Sequence, residues 1–212
     1  MNFKDKKILI TAGPTWVPID SVRVISNIAT GQTGILLANS LQRLGAKVTL
    51  LLGPVESSGP GEKIKLLRFR FFGELKNKII KELRSARYDL IIHNAAVADF
   101  KPQYTSKGKL GSAKQQVLKL KPLPKIIPLL GRYAPKAKII IFKLEPGVSD
   151  NILVCRGRAA LIKAGADFIV ANRITPYRAF IIDKKGCIAK AESKRELADK
   201  LLNSIKLITH NS

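Results

Sequence analysis

The sequence predicts one three-layer α/β domain, spanning residues 1–212, built on a mainly parallel sheet. Three observations predict it. Short apolar runs alternate with stretches of helical period along the whole chain, the pattern of strand–helix–strand units. Several of the apolar runs end in glycine-proline pairs or small polar clusters, where a buried strand hands over to a loop. With 212 residues and 46% hydrophobic content, the chain can bury a sizeable core.

The elements follow in order. Ile8–Thr11 is an apolar run stopped by Gly13-Pro14 and reads as a buried parallel strand. Residues 31–44 place Ile35, Leu36, Ala38, Leu41 and Leu44 on one side of a helix that Gly45 stops. Residues 47–52 are a second strand, closed by Gly53-Pro54, and residues 57–61 are a turn cluster. Residues 64–71 read as a strand, 74–86 as a helix and 89–94 as a strand. Residues 100–114 hold Lys, Gly, Ser and Gln without periodicity, which reads as a mobile loop. Residues 117–121 alternate apolar residues with lysine, as an exposed strand does. A short helix over 124–130, a strand over 137–142, a helix over 150–164 and a strand over 167–171 come next. Residues 179–183 and 187–190 pair as a hairpin around Lys184-Lys185-Gly186, and 192–205 is a closing helix. The sum is a Rossmann-like domain with a small flap and hairpin extension.

Composition narrows the function. Lys and Arg number 38 against 15 acids, a net charge of +23. Such a charge admits nucleic-acid binding. The lysines are scattered, however, and no compact basic block with interleaved aromatics occurs. The reading is a solvated lysine-rich surface, with nucleic acid not expected as a partner. No apolar run reaches the roughly 18–20 residues that cross a bilayer, and the N-terminus does not read as a signal peptide. Cys155 and Cys187 form no disulfide framework, and with His93 and His210 they offer no zinc site. A reduced, cytoplasmic protein is expected, with no membrane partner.

Ligands of open parallel sheets sit at the carboxyl ends of the strands. Three such ends here are polar or glycine-rich: Thr11-Ala-Gly-Pro-Thr15, His93-Asn94-Ala95-Ala96-Val-Ala-Asp99 and Phe142-Lys-Leu-Glu145. Between the first strand and its helix, residues 8–34 carry Asp20, Arg23, Ser26, Asn27 and Thr30, more polar groups than a turn needs. Thr30-Gly31-Gln-Thr-Gly34 at a helix start can turn backbone N–H groups toward an anion. It is neither a Walker loop nor the dinucleotide GxGxxG fingerprint. A short-chain reductase would need Tyr-x-x-x-Lys, but the residues four after Tyr88, Tyr104, Tyr133 and Tyr177 are Ile92, Gly108, Ala137 and Ile181.

These residues resemble the phosphopantothenate–cysteine ligase (phosphopantothenoylcysteine synthetase) family. Its signature runs roughly ITAGGT-x-x-P-[IL]-D-x-V-R-x-[IL]-S-N-x-S-[ST]-G-K-M-G, against ITAGPTWVPIDSVRVISNIATGQTG here. Ala95-Ala-Val-Ala-Asp-Phe100, Lys109-Leu-Gly-Ser112, residues 118–126, residues 141–145 and residues 157–172 resemble its later motifs, in order, over about residues 7–205. The resemblance implies a stand-alone ligase of coenzyme A biosynthesis. A nucleoside triphosphate, CTP or ATP, with Mg²⁺, activates the carboxylate of 4′-phosphopantothenate, and cysteine displaces the nucleotide. No flavin is implied in this chain. A homodimer is implied, and a separate decarboxylase is a possible partner enzyme.

The resemblance also implies roles. Asn27 holds the acyl intermediate and Lys109 is the flap lysine, the two catalytic residues. Asn94, Ala95, Asp99, Lys109, Pro124, Lys125, Ile126, Ile127, Phe142 and Lys163 contact nucleotide. Arg23, Asn27, Thr30, Gly31 and Ala96 contact the acyl substrate. The chain departs from the pattern at Gln32-Thr33 (usually Lys-Met), at Gly111 (a second flap lysine), at Ala160 and Ala164 (two helix lysines, with Lys163 adjacent) and at Arg173.

Overall fold

The structure, a computed structural model, describes residues 3–56 and 59–209, with side chains as far as residue 205. The first two residues of the turn cluster at 57–61, and His210, lie outside the described residues.

Eight strands form the central sheet. Six are parallel: β1 (Lys7–Ala12), β4 (Lys47–Leu52), β5 (Lys65–Arg68), β6 (Leu90–His93), β9 (Lys138–Leu144) and β10 (Phe168–Arg173). Antiparallel β11 (Arg178–Ile182) and β12 (Cys187–Ala191) extend the edge beyond β10. The sheet order is β12-β11-β10-β9-β6-β1-β4-β5. The chain builds outward from β1 to β5, then returns to start again at β6. The carboxyl ends of β1 and β6 therefore splay their loops apart, opening a crevice where the strand order reverses.

Burial explains the strands. β1 and β4 each run five consecutive buried residues after an exposed lysine, and β6 is buried throughout, because helices cover both faces. On one face α1 (Gln32–Arg43) and α5 (Lys194–Thr209) pack over Ile8, Ile10, Leu50 and Leu52. On the other, α2 (Phe72–Ser85), α3 (Ile127–Tyr133) and α4 (Asp150–Ala164) cover Leu9, Leu51, Ile91 and Ile141. α1 lies so close to β1 that an added Cβ at Gly34 would stand 2.4 Å from the Ala12 Cβ. Gly34→Ala should therefore destabilise the domain by about 1–3 kcal/mol, read as a lower denaturation midpoint at unchanged m-value. An unchanged midpoint would show that the helix start yields freely.

Several differences from the expected elements have physical reasons. The loop between β1 and α1 contains a hairpin, β2 (Trp16–Pro18) with β3 (Val24–Ser26), too short to show a period of two. The expected mobile loop begins with β7 (Phe100–Pro102), which pairs with β8 (Leu120–Pro122). That register, Pro102 opposite Leu120, moves the exposed strand expected over 117–121 toward its C-terminal end. The helix expected over 124–130 starts at Ile127, with Pro128 in its first turn where no N–H is needed. The strand expected over 64–71 is confined to Lys65–Arg68.

Candidate functional site

β1 and β6 are stitched together past their ends. The Asn94 N–H donates to Thr11 O at 3.0 Å, the Ala96 N–H to Gly13 O at 2.9 Å and the Thr15 N–H to Ala96 O at 3.3 Å. Beneath them the buried Thr11 hydroxyl lies 2.8 Å from His93 Nδ1 and accepts from the Ala95 N–H at 3.3 Å. The Thr15 hydroxyl accepts from the Ala98 N–H at 2.9 Å. The N–H groups of residues 94–96 and 98 are thus all engaged inside the protein. The Ala96 carbonyl is engaged too, by the Thr15 N–H, and the Ala95 carbonyl accepts from the Val97 N–H at 3.1 Å, so Ala95 and Ala96 offer a ligand chiefly a close apolar surface.

Over this floor lies a cavity of about 390 Å³. Thr30, Gly31, Asn94, Ala95, Ala96 and Phe142, six of the residues expected at the site, line it. Gly31 takes φ 67° as N-cap of α1, a left-handed conformation that glycine adopts without a Cβ clash. Gly31 itself has no side chain to cap α1, and Thr30 Oγ1 accepts from the Gln32 N–H at 3.4 Å. A wider hollow of about 580 Å³ lies at the amino ends of the strands, around Lys7, Lys47 and Lys65. Its buried polar groups are already satisfied: Glu82 takes Lys65 at 2.8 Å and the Tyr88 hydroxyl at 2.7 Å. The switch crevice, with its converging strand ends, is the stronger site.

The other expected residues surround the cavity. Asn27 is exposed, and its Nδ2 donates to Ala96 O at 3.1 Å and Val97 O at 3.3 Å, fixing the β3–α1 loop to the floor. Asp99 forms an ion pair with Lys125, bringing together two residues 26 positions apart. Ile126 is buried and Ile127 half-buried behind them, while Pro124 is exposed. Lys109 is exposed on the loop between β7 and β8. Lys163 is exposed in the last turn of α4, and the structure does not bring it to the cavity.

Arg23 is occupied by the fold itself. Its Nε donates to Asp20 Oδ2 at 2.9 Å and its Nη2 to Leu110 O at 2.7 Å. The buried Asp20 carboxylate also accepts from the N–H groups of Arg23, Val22 and Leu110 at 2.7, 2.9 and 3.0 Å. Foremost the Arg23 guanidinium, and then the Leu110 N–H, hold Asp20 far below the usual carboxylate range. It stays ionised through mild acid, so the loop carrying Lys109 remains clamped to the β2–β3 hairpin.

Sequence reasoning missed several cavity residues. Leu144, Ile174, Tyr177 and Lys194 complete the wall, joined by Asn172 near the end of β10. Leu144 and Asn172 stood in motifs. Ile174 and Tyr177 come from the turn between β10 and β11, and Lys194 from α5, with no local pattern to mark them. Burial pushes the Tyr177 hydroxyl up to about 12, so it keeps its proton.

The chain matches the DNA/pantothenate metabolism flavoprotein C-terminal domain over residues 3–208. It belongs to this family. Within the family, it is 31% identical over 214 residues to the coenzyme A biosynthesis bifunctional protein CoaBC of Thermococcus kodakarensis, covering 97% of this chain and 52% of that protein. It is 35% identical over 219 residues to a cysteine/cysteine sulfinic acid decarboxylase of an unknown prokaryote, covering 97% and 59%. The chain thus spans about half the length of the curated relatives it matches. Among solved structures, the DNA/pantothenate metabolism flavoprotein from Streptococcus pneumoniae superposes with a TM-score of 0.85 at 29% identity, covering 95% of this chain and 99% of that one. In this family member the switch-point floor rests on His93, whose burial lowers it to about 4 from 6.5. Neutral His93 contributes stability in full above about pH 6.5 and loses it as pH falls toward 4. Between pH 6.5 and 5 the domain should lose about 2 kcal/mol, and His93→Asn should flatten that slope. An equal slope in the variant, measured by denaturation at each pH, would assign the loss elsewhere.

Proposed function

We propose that this domain joins cysteine to 4′-phosphopantothenate through an acyl-nucleotidylate, consuming CTP or ATP. The observation that carries this reading is Asn27, tethered at 3.1 Å to the carbonyl of Ala96 where the β1–β6 crevice meets the start of α1. An activated carboxylate lying there would have an amide within reach that can hydrogen-bond the acyl oxygen yet cannot attack it. The family match and the CoaBC relative support the chemistry. The converging strand ends supply a cleft for two anions that must approach each other.

Two anions meet only if cations offset their repulsion. Lys109, on the clamped loop, supplies one. Mg²⁺, which usually sits on substrate phosphates with few protein ligands, would supply the other when bound with the triphosphate. Among the described residues no group of three His, Cys, Asp or Glu forms a cage for it. Asp99 and Lys125 must separate, or be bridged, for either to bind nucleotide. The site works as a homodimer: Val22, Ile28, Tyr104 and Val117 leave large apolar surfaces exposed on the hairpin, the loop and the flap, at 68, 99, 80 and 77%. A second copy covers them. The decarboxylation that follows amide formation in coenzyme A assembly would fall to a separate enzyme or another domain.

The test is pyrophosphate release with 4′-phosphopantothenate, cysteine and Mg²⁺, supplying CTP and ATP in turn. Turnover with either supports the reading, and the preferred nucleotide resolves the choice that Gln32, Gly111, Ala160 and Ala164 leave open. No turnover with either sinks it.

A further inference from the structure

Of the residues lining the 390 Å³ cavity, Lys194 is the single charged one among the described residues. It stands at the start of α5, and its ammonium donates to Gln32 Oε1 at 2.8 Å, across 162 positions of sequence. Gln32 is the first residue of α1. A neutral side chain thus aims the ammonium without neutralising it, and two of its three N–H donors remain. The nearest carboxylates in sequence are engaged elsewhere. Glu192, two residues earlier, pairs with Arg178 and Lys190, and Glu196, two later, pairs with Lys200. Tyr177, which stays protonated, and Asn172 line the same wall. Position 32 is also where the ligase pattern has lysine and this chain has glutamine.

We propose that Lys194 is a substrate-positioning residue that binds a phosphoryl group in the switch crevice, its ammonium standing in for the charge missing at position 32. This rests on the ligase reading above. The phosphoryl group belongs either to the phosphate ester of 4′-phosphopantothenate or to the nucleoside triphosphate. The two share one chemistry, a multiply charged oxyanion that a point charge and donors from α1 hold together.

Steady-state kinetics on Lys194→Met distinguish the sources. The KM of one phosphorylated substrate should rise about tenfold or more, while the KM for cysteine stays as it was. The substrate whose KM rises is the one bound. Gln32→Lys in the Lys194→Met background should recover most of that loss, because it returns a cation to the same spot on α1. Unchanged KM for both phosphorylated substrates, or a Gln32→Lys change that rescues nothing, overturns the assignment. Calorimetric titration with inorganic pyrophosphate alone separates this from the ligase reading. If the wild-type protein binds pyrophosphate and Lys194→Met weakens it about tenfold, Lys194 stands even where turnover fails. If both bind pyrophosphate equally, the assignment falls even where turnover succeeds.

Discussion

Asn27→Asp is expected to leave pyrophosphate release in place and to cut amide formation by about 100-fold or more. The Asn27 amide now donates to the carbonyls of Ala96 and Val97, and with substrate bound it gives up the longer of these bonds, at 3.3 Å, to reach the acyl oxygen. Aspartate has no hydrogen to give and would set a negative charge against two carbonyl dipoles. The β3–α1 loop loses its tether, at a cost of roughly 1–3 kcal/mol for the unmade bonds. The acyl oxygen loses its donor at the same time. Activation of the carboxylate needs the cations and not this amide, so the first step persists. The measurement is paired: pyrophosphate and amide product counted in the same reaction. Equal, undiminished yields of both would remove Asn27 from the chemistry.

Lys109→Ala should act on the other half-reaction. Pyrophosphate release should fall by about 100-fold, the size of effect seen when one stabiliser of developing charge is removed. The neighbouring residue explains why. Leu110 is held through its carbonyl by Arg23 and through its N–H by Asp20, so the Lys109 backbone is anchored while its exposed side chain is free to swing. A cation on a long exposed side chain, carried by an anchored backbone, can follow the triphosphate as charge moves toward the leaving pyrophosphate. Because the side chain is exposed, the substitution should shift the folding stability by no more than about 0.5 kcal/mol. Pyrophosphate release at the wild-type rate would exclude Lys109 from activation.

Parts of the site differ in how far the sequence reveals them. Asn27 and Lys109 lie in recognisable local motifs, so their importance is legible in the sequence. What each one touches is not. Arg23 is expected at the substrate, and the structure adds its place in the clamp with Asp20 and Leu110, which its spacing in the sequence does not announce. Asp99 and Lys125 are both expected at the nucleotide, and nothing in their spacing announces that they pair. Lys163 stands one position off the motif spacing, next to Ala164, and ends on the exposed side of α4, away from the cavity of its own chain.

By itself, the sequence determined the alternation of strands and helices, the parallel sheet and the three polar strand ends. Those are local properties: apolar runs, helical periods and glycine stops act within a few residues and leave a mark within a few residues. The tertiary structure alone decided the order β5-β4-β1-β6-β9-β10, and with it which strand ends face one another. It alone brought Lys194 to Gln32 and joined Asp20 to Leu110, pairs separated by 162 and 90 positions. A lysine among 38 basic residues carries no sign of its destination. Its role is set by which side chain meets its ammonium, and that depends on the packing of α5 against α1.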